Sequence, residues 1–563
     1  MNGNETPTFA SDRDPVDSPK HPLISAAGGR DCRFAFVASK FERVFTPSAR
    51  APGVRNPMNS PHRPRHSSPR HDDAWRKERR QDLATPAGSR PDSLQAAIDF
   101  LYDRINYERT VPEGPEAFRL QRMRELVRQL GNGPCLFPKQ AADGAADCRA
   151  SDDLPDRPLT VHIAGTKGKG SVATMVAAIL TGGGLRTGLY TSPHLETIHG
   201  RFRIDGQPCR DADLIDITRH LAVASESLSS PPSFFEMTTA GSFDWFCRMG
   251  CEAIVLEVGL GGRLDSTNVY QTDVTAITTI GLDHQNILGK THRAIAAEKA
   301  GIIKPGVPIV SGVQNVDADA VIVEIANRTE APLFRLGHDF VVESRPASRW
   351  GTAVRYRSDH PVIGADISFD LSLEGKHQAE NAAVAIAMAR LVDPKLDPDR
   401  MSWSLRHAGP PARMERFRDP RGVHVVLDVA HNIDSARVLA DAIGRRCEAQ
   451  RTTLLFATSK DKNAAEVLAA LTPHCDRLLL TRFQGNPRWY DPRALQALVP
   501  EEFRGRVEVF DKADAALNHA RAHSDDGDWV VIAGSFFLAA ELRPQLCRFD
   551  ASRHSDSNRS TLQ

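Results

Sequence analysis

Cysteine is scarce in this chain: nine residues in 563, scattered from Cys32 to Cys547. That is too sparse for a disulfide framework and fits a reducing compartment. Cys247 and Cys251 stand closest together, but no second cysteine pair or histidine pair lies near at zinc spacing, so they read as structural residues. No run of 18 or more apolar residues occurs, which excludes a membrane-spanning helix. The first twenty residues carry Glu5, Asp12, Asp14 and Asp17 and lack an apolar h-region. Neither a secretory signal nor a transit peptide is therefore expected, and the expected location is the cytoplasm. Net charge is also lacking, with 71 Lys+Arg against 71 Asp+Glu. A protein held to nucleic acid by bulk charge is basic overall, so nucleic acid is not an expected partner. No internal repeat of fixed period is present. What remains is an ordinary globular composition, 41% hydrophobic and 25% charged. The length exceeds what one core organises, so two domains are expected.

The even charge balance hides an uneven chain. Residues 1–90 hold 11 of the 37 prolines, and between Arg50 and Arg80 nine Lys/Arg face three Asp/Glu. Such a segment buries too little apolar surface to offset its ordering entropy and reads as a disordered tail. Helical spacing starts at Leu94, Ile98, Leu101 and Ile105, with Asp92–Ser93 as N-cap, and a second helix is expected over Pro115–Leu130. Residues 131–157, rich in Gly, Ala and Asp, read as a loop. Strands are expected at Leu159–Ala164, Ala253–Val258, Val274–Ile280 and Pro308–Val310, with helices at Ser171–Thr181, Asp211–Ala224 and Ala294–Ile303. This alternation implies a parallel sheet covered on both faces. A second series follows: strands at Val423–Val429, Thr452–Ala457, Arg477–Thr481, Val507–Phe510 and Trp529–Ala533, and helices at Ser435–Arg446, Ala464–Leu471 and Ala513–Ala522. The expected fold class is α/β: a parallel-sheet domain over 91–405, P-loop-type in its glycine-rich turn at 165–171, and a smaller Rossmann-like α/β domain over 406–550. His407–Arg413, with two consecutive prolines, is the expected hinge, and 551–563 the expected loose end.

Gly165-Thr-Lys-Gly168-Lys169-Gly170-Ser171 sits between an expected strand and an expected helix. Glycines there let backbone N–H groups converge on phosphate oxygens, and the helix N-terminus adds partial positive charge. Lys169 is placed to neutralise phosphate charge, and Ser171 to reach a phosphate or Mg²⁺. The spacing is not G-x-x-x-x-G-K-[ST], and a tight βα turn is the plain alternative. Glu257 ends a buried strand, where ligands gather in α/β sheets, and is followed by Gly259, Gly261 and Gly262. These glycines do not match the dinucleotide pattern. Asp283 and His284 end another strand; Lys299 lies in a helix among small apolar neighbours, where pairing with a carboxylate is its plain alternative. Ser192 supplies a hydroxyl, and Ser192, Glu257 and nucleotide phosphates suit the oxygen preference of Mg²⁺.

Taken in order, G-T-K-G-K-G-S (165–171), T-S-P-H (191–194), S-F-F-E (233–236), L-E-V-G-L-G-G-R-L-D-S-T-N (256–268), G-L-D-H (281–284), E-K-A-G-I (298–302) and L-D-V-A-H-N (427–432) resemble folylpolyglutamate synthase/dihydrofolate synthase of the Mur-ligase superfamily. The resemblance covers roughly residues 93–545. It implies an ATP-dependent ligase that joins L-glutamate by an amide bond to a folate carboxylate, and also to dihydropteroate, through an acyl phosphate. It implies ATP contacts at Gly168, Lys169, Gly170, Ser171, Asn381, Arg413 and Asp428. It implies Mg²⁺ ligands at Ser192, Glu257, His284 and Lys299, the last carbamylated so that a cation becomes an oxygen ligand. Lys169, His284 and Lys299 would be the catalytic groups. Substrate contacts are implied at Phe234, Phe235 and Glu236, and at Leu264, Asp265 and Ser266. The expected partners are small molecules, with no membrane, and the expected state is a monomer.

Three positions depart from the common pattern: Lys167 where many members have Asn, Ala412 where Gly is usual, and Ile433 where Pro is frequent. Two rival readings are a Mur-type UDP-sugar-peptide ligase and a non-catalytic nucleotide-binding regulator. The S-F-F-E stretch argues against the first, and the full set of Mg²⁺ ligands against the second.

Overall fold

The computed structural model describes residues 91–106, 120–136, 157–348, 350–447 and 450–560. The expected disordered tail, residues 115–119 of the second expected helix and most of the 131–157 loop lie outside the described residues. The helix itself is seen as Leu120–Gln129.

The first sheet has eight strands. They are β1 Leu159–Ala164, β2 Thr187–Tyr190, β3 Phe202–Ile204, β4 Gln207–Pro208, β5 Ala253–Glu257, β6 Val274–Ile277, β7 Ile309–Ser311 and β8 Leu333–Arg335, in the order β4-β3-β2-β5-β1-β6-β7-β8. β2, β5, β1, β6, β7 and β8 pair in parallel, and only the β3 and β4 edge is antiparallel. All residues of β5 and β6 are buried, as a sheet covered on both faces requires. β6 ends three residues before the expected Ile280. The reason is local: Thr278 turns its N–H to the Ala164 carbonyl at 2.9 Å and its Oγ1 to the Lys167 carbonyl at 2.6 Å.

The glycine-rich turn feeds the helix Lys169–Gly182, which is buried on nearly every side. It lies beneath the helix Lys376–Val392, whose alanines allow close approach, and beside the helix Pro398–His407. Together with β1 and β5 they form one core. Burying each Leu or Ile of such a core is worth about 1.5–3 kcal/mol. On the other face, the helix Phe234–Arg248 packs with Tyr190, Phe202 and Tyr270 in a second core. It starts at Ser233, whose Oγ accepts from the Glu236 N–H while Glu236 receives the Ser233 N–H, a reciprocal capping box.

A three-stranded antiparallel sheet, β9 Val341–Pro346, β10 Thr352–Ser358 and β11 Ala365–Leu371, escaped the sequence reading. Its buried residues alternate, Val354 and Tyr356 inward and Arg355 and Arg357 outward, and carry no glycine-bounded apolar run.

The last sheet has six strands: β12 Glu415–Arg418, β13 His424–Leu427, β14 Thr452–Phe456, β15 Arg477–Leu480, β16 Val507–Val509 and β17 Trp529–Ala533. The order is β12-β13-β17-β14-β15-β16, parallel except for β12. The expected helices appear as Ile433–Arg446, Ala464–Leu471 and Ala513–Ala522. The connection through His407–Arg413 ends with Ala412 at φ 54 and Met414 at φ 46, both left-handed. A final helix, Phe536–Ser560, continues through 551–560, where a loose end was expected. Beyond Pro544 neither Gly nor Pro interrupts it.

Candidate active site

The site begins where β1 stops. Gly168 takes φ 86 to start the Lys169–Gly182 helix, and a Cβ there would stand 2.4 Å from Asn381 Oδ1. Asn381 is thereby brought against the glycine turn from another helix, and no sequence spacing shows this. The helix N-terminus has no side-chain cap and no acidic residue in its first turn, so its amides stay free for an anion. The turn is buttressed from the end of β6: the Lys167 N–H donates to Thr279 Oγ1 at 3.0 Å, and Gly165 leaves no room for a Cβ beside Thr278 Oγ1.

Two lysines share one acceptor. Lys169 Nζ donates to the Gly165 carbonyl at 3.1 Å and Lys299 Nζ to the same oxygen at 2.9 Å. Lys299 is buried, and its amine falls to about 7 through desolvation, with the Lys169 charge adding to the fall. Glu257, at the end of β5, is buried beside Gly170 and accepts the Ser192 N–H at 3.1 Å. Burial pushes its carboxyl up to about 6, against the pull of Lys169 and the Ser192 N–H. His284 is held at φ 50; burial lowers its imidazole, opposed by Asp283. Lys169, Lys299, Asp283 and His284 line one small cavity with the Gly259–Gly261 turn. The four implied metal ligands thus fall into two pairs: Ser192 touches Glu257, and Lys299 faces the same cavity as His284. Lys169 is the charge that Glu257, Lys299 and His284 all feel. Among the described residues no group of three His, Cys, Asp or Glu gathers to hold a metal. A divalent ion here must therefore draw on a hydroxyl, on phosphate or on a modified lysine. The oxygen donors at Ser192 and Glu257 fit Mg²⁺.

Across the chain, Asp428 follows β13 and is buried; it accepts the Met414 N–H at 2.8 Å and the Ala430 N–H at 2.7 Å. Burial raises its carboxyl, opposed by Arg413. Arg413 is exposed, and its charge acts on Asp428 and Glu257 alike. The sequence reading missed Asp434. Its carboxylate takes the Lys167 ammonium at 2.7 Å, joining the glycine turn to the first turn of the Ile433–Arg446 helix. The two residues are 267 positions apart, and nothing in the sequence links them.

The implied substrate residues divide. Phe234 is fully buried, stacked on Tyr102 at 5.0 Å with the Arg201 guanidinium 5.0 Å over its ring. Glu236 is buried in its capping box and takes Arg122 at 2.9 and 2.7 Å. Phe235 alone of the three is half-buried, its ring against Gly259 and 6.1 Å from Tyr190. Asp265 is buried too. It receives the Gly259 and Leu260 N–H groups at 3.0 and 2.9 Å and the Thr267 N–H at 3.0 Å, so it shapes the turn between β5 and the cavity. Leu264 and Ser266, half-buried, flank it.

The Mur ligase middle domain family matches residues 163–389, and the Mur ligase glutamate ligase domain family matches 412–536. Folylpolyglutamate synthase of Lacticaseibacillus casei is 33% identical over 396 residues, 69% of this chain and 89% of that protein. Dihydrofolate synthase/folylpolyglutamate synthase of Bacillus subtilis is 31% identical over 399 residues, 68% of this chain and 90% of that protein. The crystal structure of Mycobacterium tuberculosis folylpolyglutamate synthase, complexed with ADP and AMPPCP, superposes with a TM-score of 0.65 at 30% identity, covering 80% of this chain and 98% of that one.

Proposed function

This chain belongs to the folylpolyglutamate synthase/dihydrofolate synthase family of the Mur ligases, and from that membership we propose an ATP-dependent ligase that adds L-glutamate to folates and to dihydropteroate. Residues 91–405 form its ATP-binding body and 406–550 its glutamate-ligase body, acting as a cytoplasmic monomer. No described helix is long and apolar enough to cross a membrane.

The chemistry follows from the parts. A carboxylate is a poor electrophile at neutral pH. Transfer of the ATP γ-phosphoryl group to a carboxylate oxygen gives an acyl phosphate and ADP. The glutamate amine attacks the acyl carbon, the C–O bond to phosphate breaks, and the amine proton is lost to solvent. The uncapped amides of Gly170 and Ser171 and the Lys169 ammonium bind and orient the phosphates, and stabilise the charge that spreads over the transferred oxygens. Asn381 fixes the turn from the other side. Asp428 and Arg413 bring the second body to the nucleotide, so that closure completes the site and excludes water. Ser192 and Glu257 would hold Mg²⁺, with His284 and a carbamylated Lys299, and the ion would neutralise phosphate charge. Carbamylation is supported by a buried amine brought down to about 7, since only the neutral amine adds carbon dioxide.

The observation that carries this reading is Lys169 at an uncapped helix start beside buried Glu257. Lys169→Ala is expected to abolish ligation with an unchanged circular dichroism spectrum; near-normal turnover would overturn the assignment.

A further inference from the structure

A cavity of about 570 Å³ opens between the Leu195–Arg203 segment and the Gly409–Arg416 segment. Four guanidinium groups line it, those of Arg203, Arg413, Arg416 and Arg543, against two carboxylates, Glu196 and Glu415. Both carboxylates are already taken by one arginine. Arg543 grips Glu415 with Nε and Nη2, each at 2.7 Å, and meets Glu196 through Nη1. Among the described residues no carboxylate hydrogen-bonds Arg203, Arg413 or Arg416. Arg203 spends only Nε, on the Gly200 carbonyl at 3.2 Å, and is held half-buried, repelled by the Arg543 charge and only partly compensated by the Glu196 carboxylate that Arg543 already holds. Arg416 lies over the Trp350 ring at 5.8 Å. Like charges gathered in a concave, partly dry site are unfavourable until an anion joins them.

One wall of the cavity continues the chain segment that carries Ser192. Leu195 follows Ser192 by three residues, and the Ser192 N–H rests on Glu257. Arg413 stands on the rim shared with the nucleotide side. A glutamate carries two carboxylates, and lengthening the product consumes one of them. Each residue added therefore leaves one free carboxylate on the acceptor, so the acceptor grows more anionic with every round.

We propose that this cleft binds the oligoglutamyl tail that earlier rounds leave on the acceptor, with Arg203 and Arg416 pairing with its free carboxylates. The proposal rests on the ligase reading above. It makes the cleft a specificity site for chain extension, adjoining the nucleotide side at Arg413.

The test uses the full chain and the variants Arg203→Ala, Arg416→Ala and their combination. KM and kcat are measured at saturating ATP and L-glutamate for dihydropteroate and for folates bearing one and three glutamates. Each variant is expected to raise KM for the triglutamyl acceptor about tenfold, equivalent to about 1.4 kcal/mol. KM for dihydropteroate, and kcat throughout, should stay within about twofold, which also reports an intact fold. Arg416→Lys should recover part of the loss, because a point charge still attracts the carboxylate without the fork geometry. An equal rise in KM for every acceptor, a rise in KM for L-glutamate or ATP instead, or no change at all would overturn the proposal while leaving the ligase reading standing. A wild-type chain that turns over none of the acceptors would overturn both.

Discussion

At the scale of single residues, the site is tuned by burial. Glu257 has its carboxyl raised to about 6 because it sits in a dry strand end, and Lys169 only partly offsets this. Lys299 has its amine lowered to about 7, also by desolvation. The signs work together. Below about pH 6 Glu257 takes up a proton and loses the charge that attracts a divalent ion. Below about pH 7 Lys299 becomes an ammonium and can no longer add carbon dioxide. Activity is therefore expected to fall on the acid side, with the limb between about pH 6 and 7, and added bicarbonate should raise it most near pH 7. A pH–rate profile flat down to pH 5 would contradict both assignments. Ala412 offers a simpler test. It holds φ 54, which explains why glycine is usual there. Left-handed backbone costs a residue with a Cβ about 1–2 kcal/mol, part of which glycine gives back in unfolded-state entropy. Because Ala412→Gly also removes a fully buried methyl, the terms nearly cancel, and stability in urea unfolding should change by less than about 1 kcal/mol, with m unchanged.

At the scale of elements, the glycine turn was legible because a strand, a turn and a helix leave three successive signals in one short stretch. What packs against it was not. Asn381 lies in an alanine-rich helix more than two hundred residues away, and only the fold sets its amide against Gly168. Gly168→Ala is expected to push a methyl into that amide at a left-handed φ, to cost about 1–2 kcal/mol in stability, and to weaken ATP binding of the still-folded protein at least tenfold by calorimetry. The S-F-F-E stretch was legible as a motif but not as a helix start. The residues that follow it, Thr238, Thr239, Gly241 and Ser242, are indifferent helix formers, and burial overrides their propensity. That is why Phe234 and Glu236, implied as substrate contacts, are spent on packing and capping, and Phe235 alone keeps a face toward the Gly259 turn. The β9–β11 sheet was illegible because alternating strands with charged outer faces resemble polar loops.

At the scale of the whole molecule, the two large sheets meet through contacts of unequal worth. Lys167–Asp434 is exposed on both sides, so Asp434→Asn should change stability by less than about 1 kcal/mol. Glu374 is buried, and Arg446 reaches it at 3.1 Å while also donating to the Ala347 and Gly351 carbonyls at 3.0 and 3.2 Å. Arg446→Ala leaves that carboxylate with only the Gly351 N–H at 2.6 Å and Arg445 at 4.0 Å, and should cost about 2 kcal/mol in thermal or urea unfolding. The buried pair thus anchors the last turn of the Ile433–Arg446 helix, while the weaker, exposed Lys167 bridge ties its first turn to the glycine turn. The net charge of zero over the chain says little about this surface, because the cleft between Leu195 and Arg416 gathers arginines that the average conceals. The most direct test of the central claim is ADP release by the purified full chain supplied with ATP and Mg²⁺, with and without L-glutamate, and with dihydropteroate, tetrahydrofolate or a UDP-muramyl peptide as acceptor. The account predicts release that needs glutamate together with either pteridine; release independent of glutamate, or supported by the UDP-muramyl peptide alone, would contradict it.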